Sequence, residues 1–407
     1  MIKNLRRRMN FHFYERLKEI KNASRLIPTR YSEGVTMAPQ RPRSAGAAPL
    51  VDGLTAGFKP QSQQLYAALD LGTNSCRMLI AQPYGAQFKV VDSFSKSVQL
   101  GSGLENSGSL SRVSMNRTIQ ALRICSQKLA QFKIKKMRLV ATEACRRARN
   151  GHDLMNKIFN ETGLKLEIIS AEEEAQLAVL SCGPLVERET DQLLVVDIGG
   201  GSTELIWIDL VNVDASLRSQ AIMHMHKGFR SGSRPNKFGA KVLDWISIPL
   251  GVATLCDLFD DVDDDAGRFA LMSLMFEEKL EKFRPYHRSH KMDCFQIIGT
   301  SGTVTTVAAS HLRLRRYDRN KVDGRSMSSS EIDKVIHDYL RLGRQGRQKD
   351  PLIGDERQAL IMSGVAILQA LLRIWPTHKL SVADRGLREG LLYSQMSADA
   401  VLMEQQI

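Results

Sequence analysis

Two short segments of this chain, 127 residues apart, carry the same pattern: an apolar run, an acidic residue, a glycine turn and a second apolar run. Superimposing them places Asp70 on Asp197, Leu71 on Ile198, Gly72 on Gly199 and Ser75 on Ser202. The offset is constant and far longer than the ~20–50-residue period of a solenoid, so the duplication is of whole domains. It predicts two related domains, each opening on a hairpin with Asp and Gly at its tip, facing each other across a cleft.

The rest of the chain fits that plan. The apolar runs 65–69 and 78–81 flank the first tip as a hairpin. Residues 117–132 have helical apolar spacing, 138–141 reads as a buried strand, 154–162 as a helix, 166–169 as a strand and 171–180 as a helix opening on three acids. The theme returns at strand 193–196, turn 197–202 and strand 204–208. Residues 212–241, polar and basic, are expected to be an extended loop inserted in the second domain. Strand 295–298 runs into Gly299-Thr300-Ser301-Gly302-Thr303 and a helix, and strand 381–383 leads through Asp384-Arg385-Gly386 into a final helix. The alternation defines an α/β protein. Expected boundaries are 65–190 for the first lobe and 191–386 for the second, with the last helix, 387–400, packing back on the first.

Residues 1–64 read as an extension. Their linker, 39–60, is rich in Pro, Gly, Ala and Ser and cannot bury enough apolar surface to offset its ordering entropy. Met37 is an alternative start. Net charge is +13, and the first 65 residues hold twelve Lys and Arg against four acids. Such an excess suits polyanionic partners, nucleic acid included, or is simply a solvated basic arm. No apolar run approaches membrane-spanning length, and residues 1–20 lack the apolar stretch of a secretory signal. Six scattered cysteines without CxxC or zinc spacing point to reduced thiols and a cytoplasmic location.

A phosphate chain is held by converging backbone N–H groups, neutralised by cations, and attacked by a steered water. Glycine tips supply the first requirement. The tips are Gly72, Thr73, Asn74 and Ser75; Gly199, Gly200, Gly201 and Ser202; and Ser301 with Gly302. Asp70 and Asp197 end apolar strands, with Glu204 nearby on the second hairpin. They either cap the turns or hold Mg²⁺, which favours a few carboxylates plus water and phosphate oxygens. Glu172, Glu173 and Glu174 open a helix, where the macrodipole alone favours acids, so their spacing leaves catalysis by any of them open. Arg77 and Arg146 are candidate phosphate contacts, with plain surface arginines as the alternative. Cys76 reads as a small buried side chain. No Ser/His/Asp or Cys nucleophile arrangement occurs, which predicts direct attack by water.

The segments ALDLGTNSCRMLI (68–80), ATEACRRA (141–148), EIISAEEEA (167–175), VVDIGGGSTELI (195–206), IGTSGT (298–303) and GLREG (386–390) resemble the exopolyphosphatase/guanosine pentaphosphate phosphohydrolase (Ppx/GppA) family. That family shares a superfamily with actin, sugar kinases and heat-shock ATPases. The resemblance implies two ribonuclease-H-like lobes with the active site in the cleft between them. It implies Mg²⁺-dependent removal of terminal phosphate from inorganic polyphosphate or guanosine pentaphosphate. Glu174 matches the family's catalytic carboxylate, Asp197 and Glu204 residues associated with Mg²⁺ and water, and Asn74, Ser75, Arg146 and Gly199 to Ser202 phosphate contacts. Gln99 departs from the family, standing where many members carry Arg. The chain has the extent of the short, two-lobed form, and a homodimer is a partner expectation while a membrane is not. A non-catalytic polyphosphate or alarmone sensor and a kinase of the superfamily are the alternatives. The retained acids and the EEEA segment favour the hydrolase. The basic surface and an aromatic content of 6% favour polyphosphate over a nucleotide.

Overall fold

A computed structural model describes residues 64–225, 234–287 and 294–402. The expected extension before Gln64, the alternative start at Met37 and residues 226–233 of the insertion lie outside the described residues.

The first sheet is built from β1 (Leu65–Leu71), β2 (Ser75–Tyr84), β3 (Gln87–Ser97), β4 (Ile134–Ala141) and β5 (Glu167–Ile168), in spatial order β3-β2-β1-β4-β5. β1, β2 and β3 form an antiparallel meander, and β4 runs parallel to β1, followed by β5 parallel to β4. Central β1 is covered on both faces and so reads as a nearly continuous apolar run, whereas edge strand β3 is largely exposed. The connections carry α1 (Leu104–Ser107), α2 (Arg112–Ala130), α3 (Glu143–Arg147), α4 (Gly151–Thr162) and α5 (Ala171–Cys182). In α2, Ile119, Leu122, Cys125 and Leu129 recur at helical spacing on the buried face, and the Ser111 hydroxyl caps the N-terminus by accepting from Ser114 N–H.

The second sheet repeats the order. It contains β6 (Gln192–Ile198), β7 (Thr203–Asp209), β8 (Lys241–Ile248), β9 (Phe295–Thr300), β10 (Ser326–Met327) and β11 (Leu380–Ala383), arranged β10-β11-β9-β6-β7-β8. β6, β7 and β8 form the meander, and β9 is parallel to β6. Each lobe thus has the ribonuclease-H-like arrangement. The helices are α6 (Arg218–Met223), α7 (Val252–Leu258), α8 (Asp265–Leu280), α9 (Gly302–His311), α10 (Arg319–Val322), α11 (Ser329–Lys349, broken at Gly343), α12 (Gly354–Ile374) and α13 (Leu387–Ala398). Alternate residues of each strand serve opposite faces. Leu194, Val196, Leu205, Trp207 and Ile297 join the large core under α8, α9, α11 and α12, while Leu193, Val195, Ile206 and Ile298 point the other way.

The two sheets are joined by one helix that is apolar on two faces. α5 sets Ala175, Val179 and Cys182 against the second sheet, and Leu177 and Leu180 against Tyr66, Ala68 and Leu79 of the first. α13 lies beside it on the first sheet, burying Leu387, Leu391, Leu392 and Met396, each worth roughly 1.5–3 kcal/mol. Gly390 lies at the α5–α13 crossing, where a Cβ would overlap the Leu177 carbonyl. Tyr66 Oη donates to Asp399 Oδ2 at 2.8 Å, tying the end of α13 to β1.

Part of the expected extended loop 212–241 is helical instead. α6 buries Ala221 and Ile222 with α5, and Arg218 at its start pairs with Asp191 at 2.7 Å. The local sequence is too polar to show this, because the apolar surface that recruits the helix belongs to α5. Among the described residues no helix is long and apolar enough to cross a membrane.

Candidate active site

The duplicated tips share their hydrogen bonding. Gly72 N–H donates to Ser75 O and Gly199 N–H to Ser202 O, both at 2.9 Å. Each tip is then pinned by the segment following the third strand of its meander. Asn74 O accepts from Val98 and Gln99 N–H (2.8 and 2.9 Å), and Thr73 O from Gly101 N–H (2.9 Å). In the second lobe Gly199 O accepts from Val252 N–H (3.0 Å) and Gly200 O from Ala253 N–H (2.8 Å). The repeat therefore extends to Leu100-Gly101 and Leu250-Gly251, which the sequence reading missed although the dipeptide was its signal. Gln99, the family departure, has φ 46° and offers its carbonyl to Arg117 Nη2 at 3.1 Å.

The tips meet. A Cβ on Gly200 would stand 3.0 Å from Thr73 Cβ and 3.1 Å from Asn74 N, and one on Gly201 2.5 Å from Thr73 Oγ1. Glycine is required there because backbone of the second lobe abuts the tip of the first. The third tip opens a helix. The Ser301 hydroxyl accepts from Val304 N–H at 3.0 Å as the cap of α9, whose first residue is Gly302. Thr300, just before it, donates its hydroxyl to Asp197 Oδ1 at 2.5 Å across the β6–β9 register.

The acids occupy related places. Asp70 is paired across its hairpin with Arg77, and Asp197 across the second hairpin with Glu204, so the repeat puts Glu204 where the first lobe has Arg77. Glu204 is 1% exposed and accepts from Ser247 Oγ at 2.7 Å, a partner on β8 with no sequence signal. Glu174 enters from the N-terminal turn of α5, which Ser170 caps. Its neighbour Glu173 pairs outward with Arg138 at 2.5 Å, which separates the roles of consecutive acids. Both Arg146 Nη atoms lie 3.1 Å from Glu174 Oε2. Arg146 also donates to Glu143 Oε2 (2.5 Å from Nη2) and to Ile169 O (2.8 Å). In this structure the donors of the expected phosphate contact Arg146 are directed to Glu174, Glu143 and the Ile169 carbonyl. Glu143, inside the ATEACRRA segment, was not singled out.

Burial pushes Glu174 well above the usual carboxylate range, reinforced by Glu204 and opposed by Arg146. Burial likewise raises Glu204 to about 8, with Asp197 adding to it, and Asp70 to about 6, with Arg77 and Arg388 pulling it back. Asp197 is raised by burial and eased by the Thr300 hydroxyl. Four enclosed carboxylates from both lobes thus act on one another. No three His, Cys, Asp or Glu among the described residues are grouped tightly enough to hold a metal alone. The donor set still fits Mg²⁺, which takes one or two carboxylates and completes its shell with water and substrate phosphates.

A pH dependence of stability follows. Between pH about 4.5 and about 8 the folded metal-free protein holds a proton on Glu204 that the unfolded chain has released, so stability falls as pH rises through that window. Tm measured from pH 5 to 9 in chelator is expected to decline, and less steeply in Glu204→Gln. Equal slopes in the two proteins would contradict the assignment.

Comparison with known proteins agrees with this geometry. The family model described as the Ppx/GppA phosphatase family matches residues 79–399. The crystal structure of the Aquifex aeolicus Ppx/GppA family member is 27% identical with a TM-score of 0.64, covering 83% of this chain and 98% of that one. A second Aquifex aeolicus PPX-GPPA structure is 28% identical, covering 81% and 99%, with a TM-score of 0.63. An exopolyphosphatase from Cytophaga hutchinsonii shares the fold at 22% identity, with a TM-score of 0.66 and coverage of 83% and 100%. By the extent of the family match and these likenesses, the chain belongs to the Ppx/GppA phosphatase family.

Proposed function

We propose that this protein hydrolyses the terminal phosphoanhydride bond of a condensed phosphate, inorganic polyphosphate before guanosine pentaphosphate, in a Mg²⁺-dependent reaction. The observation that supports it is the meeting of two glycine tips beside four carboxylates drawn from both lobes, Glu174 and Glu204 buried and Asp70 and Asp197 partly buried. Mg²⁺, when bound at Asp70, Asp197 or Glu204, would offset the charge of the phosphate oxygens. The amides of the two tips beyond Gly72 and Gly199, whose own N–H groups close the turns, would hold the phosphate chain, together with Arg77.

Glu174 then acts as the base. Water attacks the terminal phosphorus, its proton passes to the Glu174 carboxylate, and the bridging P–O bond breaks with the shortened chain leaving. A carboxylate raised by burial is a stronger base than a free one, and the two Arg146 contacts favour its charged form and aim it. Catalysis of this kind rests on positioning and charge neutralisation. All six cysteines are free, which supports work in a reducing, cytoplasmic setting.

The decisive experiment is phosphate release by purified protein from long polyphosphate and from guanosine pentaphosphate, with Mg²⁺ and with chelator. Release from neither, by folded protein, would overturn the reading in favour of a sensor. Arg146 gives a sharper prediction. It holds the Glu174 pKa down, so Arg146→Met raises that pKa and moves the acid limb of the kcat/KM profile to higher pH. An unshifted limb with lowered activity would mean that Arg146 does not act through Glu174.

A further inference from the structure

The last helix carries a cation, Arg388 of the GLREG segment, to which no role has yet been assigned. With Leu387 and Leu391 packed on the first sheet, Arg388 comes within electrostatic range of Asp70 and Arg77 on the hairpin beneath. Glu389 fixes the turn, its Oε2 accepting from Gly386 N–H at 2.9 Å. Its Oε1 lies 3.4 Å from Arg319 Nη2 and 3.7 Å from Arg388 Nη2, so two guanidinium groups face one carboxylate oxygen. Arg319 has another acceptor, the Asp384 carbonyl at 2.5 Å.

Arg388 does not. Its side chain is only 16% exposed, yet among the described residues its guanidinium donates no hydrogen bond, since 3.7 Å is too long for one. The other enclosed arginines behave differently: Arg347 forks onto Asp265 and Arg385 onto Asp323. Arg77, across from Arg388, shares its condition, with a buried Nε that has no partner. Two enclosed, like-charged forks with open donors are costly to hold together unless an anion with several oxygens lies between them. Burial and the nearness of Arg77 and Arg319 hold the Arg388 pKa below its usual value, against the pull of Glu389.

We infer that Arg388 is a substrate-binding residue, its fork acting with Arg77 on the oxygens of a phosphoryl group of the condensed-phosphate chain. The inference rests on the hydrolytic reading above for its substrate class.

Tripolyphosphate serves as the binding probe, read as a thermal shift, beside steady-state kinetics on long polyphosphate. Arg388→Met is expected to lower kcat/KM about 10- to 100-fold, mainly through KM, and to shrink the tripolyphosphate shift. Arg388→Lys, which keeps the charge and loses the fork, is expected to fall between it and wild type. If Arg388 only neutralises Asp70, the Met variant has a changed Tm when free but a wild-type KM and a wild-type tripolyphosphate shift, and the inference is overturned. Should the Met variant fail to fold, wild-type KM and shift in Arg388→Lys overturn it equally. A wild-type protein that releases no phosphate, yet is stabilised by tripolyphosphate only when Arg388 is present, would refute the hydrolytic reading and keep this site.

Discussion

Glu174→Gln is expected to reduce kcat about 10²- to 10⁴-fold while leaving KM within a few-fold and the fold intact. The amide has the same shape, so the first turn of α5, capped by Ser170, is unaffected. Arg146 keeps Glu143 and the Ile169 carbonyl as partners, which limits collateral movement. What disappears is the proton acceptor. Because burial penalises the Glu174 charge, the neutral variant should be at least as thermostable as wild type above neutral pH. Phosphate release and a melting curve on the same sample check both halves. A kcat within tenfold of wild type would remove Glu174 from the mechanism, and a large fall in Tm would make the lost activity uninformative.

Gly390→Ala is expected to cost about 3 kcal/mol of stability, from a single added methyl group. The methyl would overlap the Leu177 carbonyl oxygen, and the Leu177 carbonyl carbon would stand at only 2.7 Å. Backbone on both sides prevents relief by a side-chain rotation, so α13 and α5 must move apart. That movement loosens Leu387 and Leu391 from Tyr66, Ala68 and Leu79 and displaces the helix that carries Glu174. Tm should fall by roughly 4 °C, with kcat falling alongside it. A Tm within a degree of wild type would show that the crossing has slack.

Much of the plan was legible because duplication and glycine are strong local signals. Asp70 and Asp197, with the turns after them, declared two related hairpins, and the strand order of the two sheets repeats accordingly. Glu174 was different. Three consecutive acids at a helix start look alike to any pattern, and only the family resemblance separated them in sequence. In the structure the separation is geometric: Glu173 turns out to Arg138 and Glu174 turns in to Arg146. Arg146 shows the converse, since its place beside a strand end was legible while its contacts to the acids of α3 and α5 were not, those acids being brought to it from 3 and 28 residues away by the fold. Ser247 arrives from β8 with no motif around it; Thr300 and Arg388 lie inside the IGTSGT and GLREG segments, but nothing local showed that their side chains face Asp197 and Glu389.

Sequence alone therefore determined the local matters: which segments pair as hairpins, where the tips must be glycine, and that carboxylates sit at strand ends. Tertiary structure decided which donors and acceptors meet across lobes, because that depends on where α5 and α13 cross between two sheets. Their crossing is set by packing over long sequence separations, Leu177 against Gly390, with Val179 in one core with Val195 of the second sheet. It also decided the charge state of the site, since the pKa values of Asp70 and Glu204 follow from burial that no single segment of the chain creates.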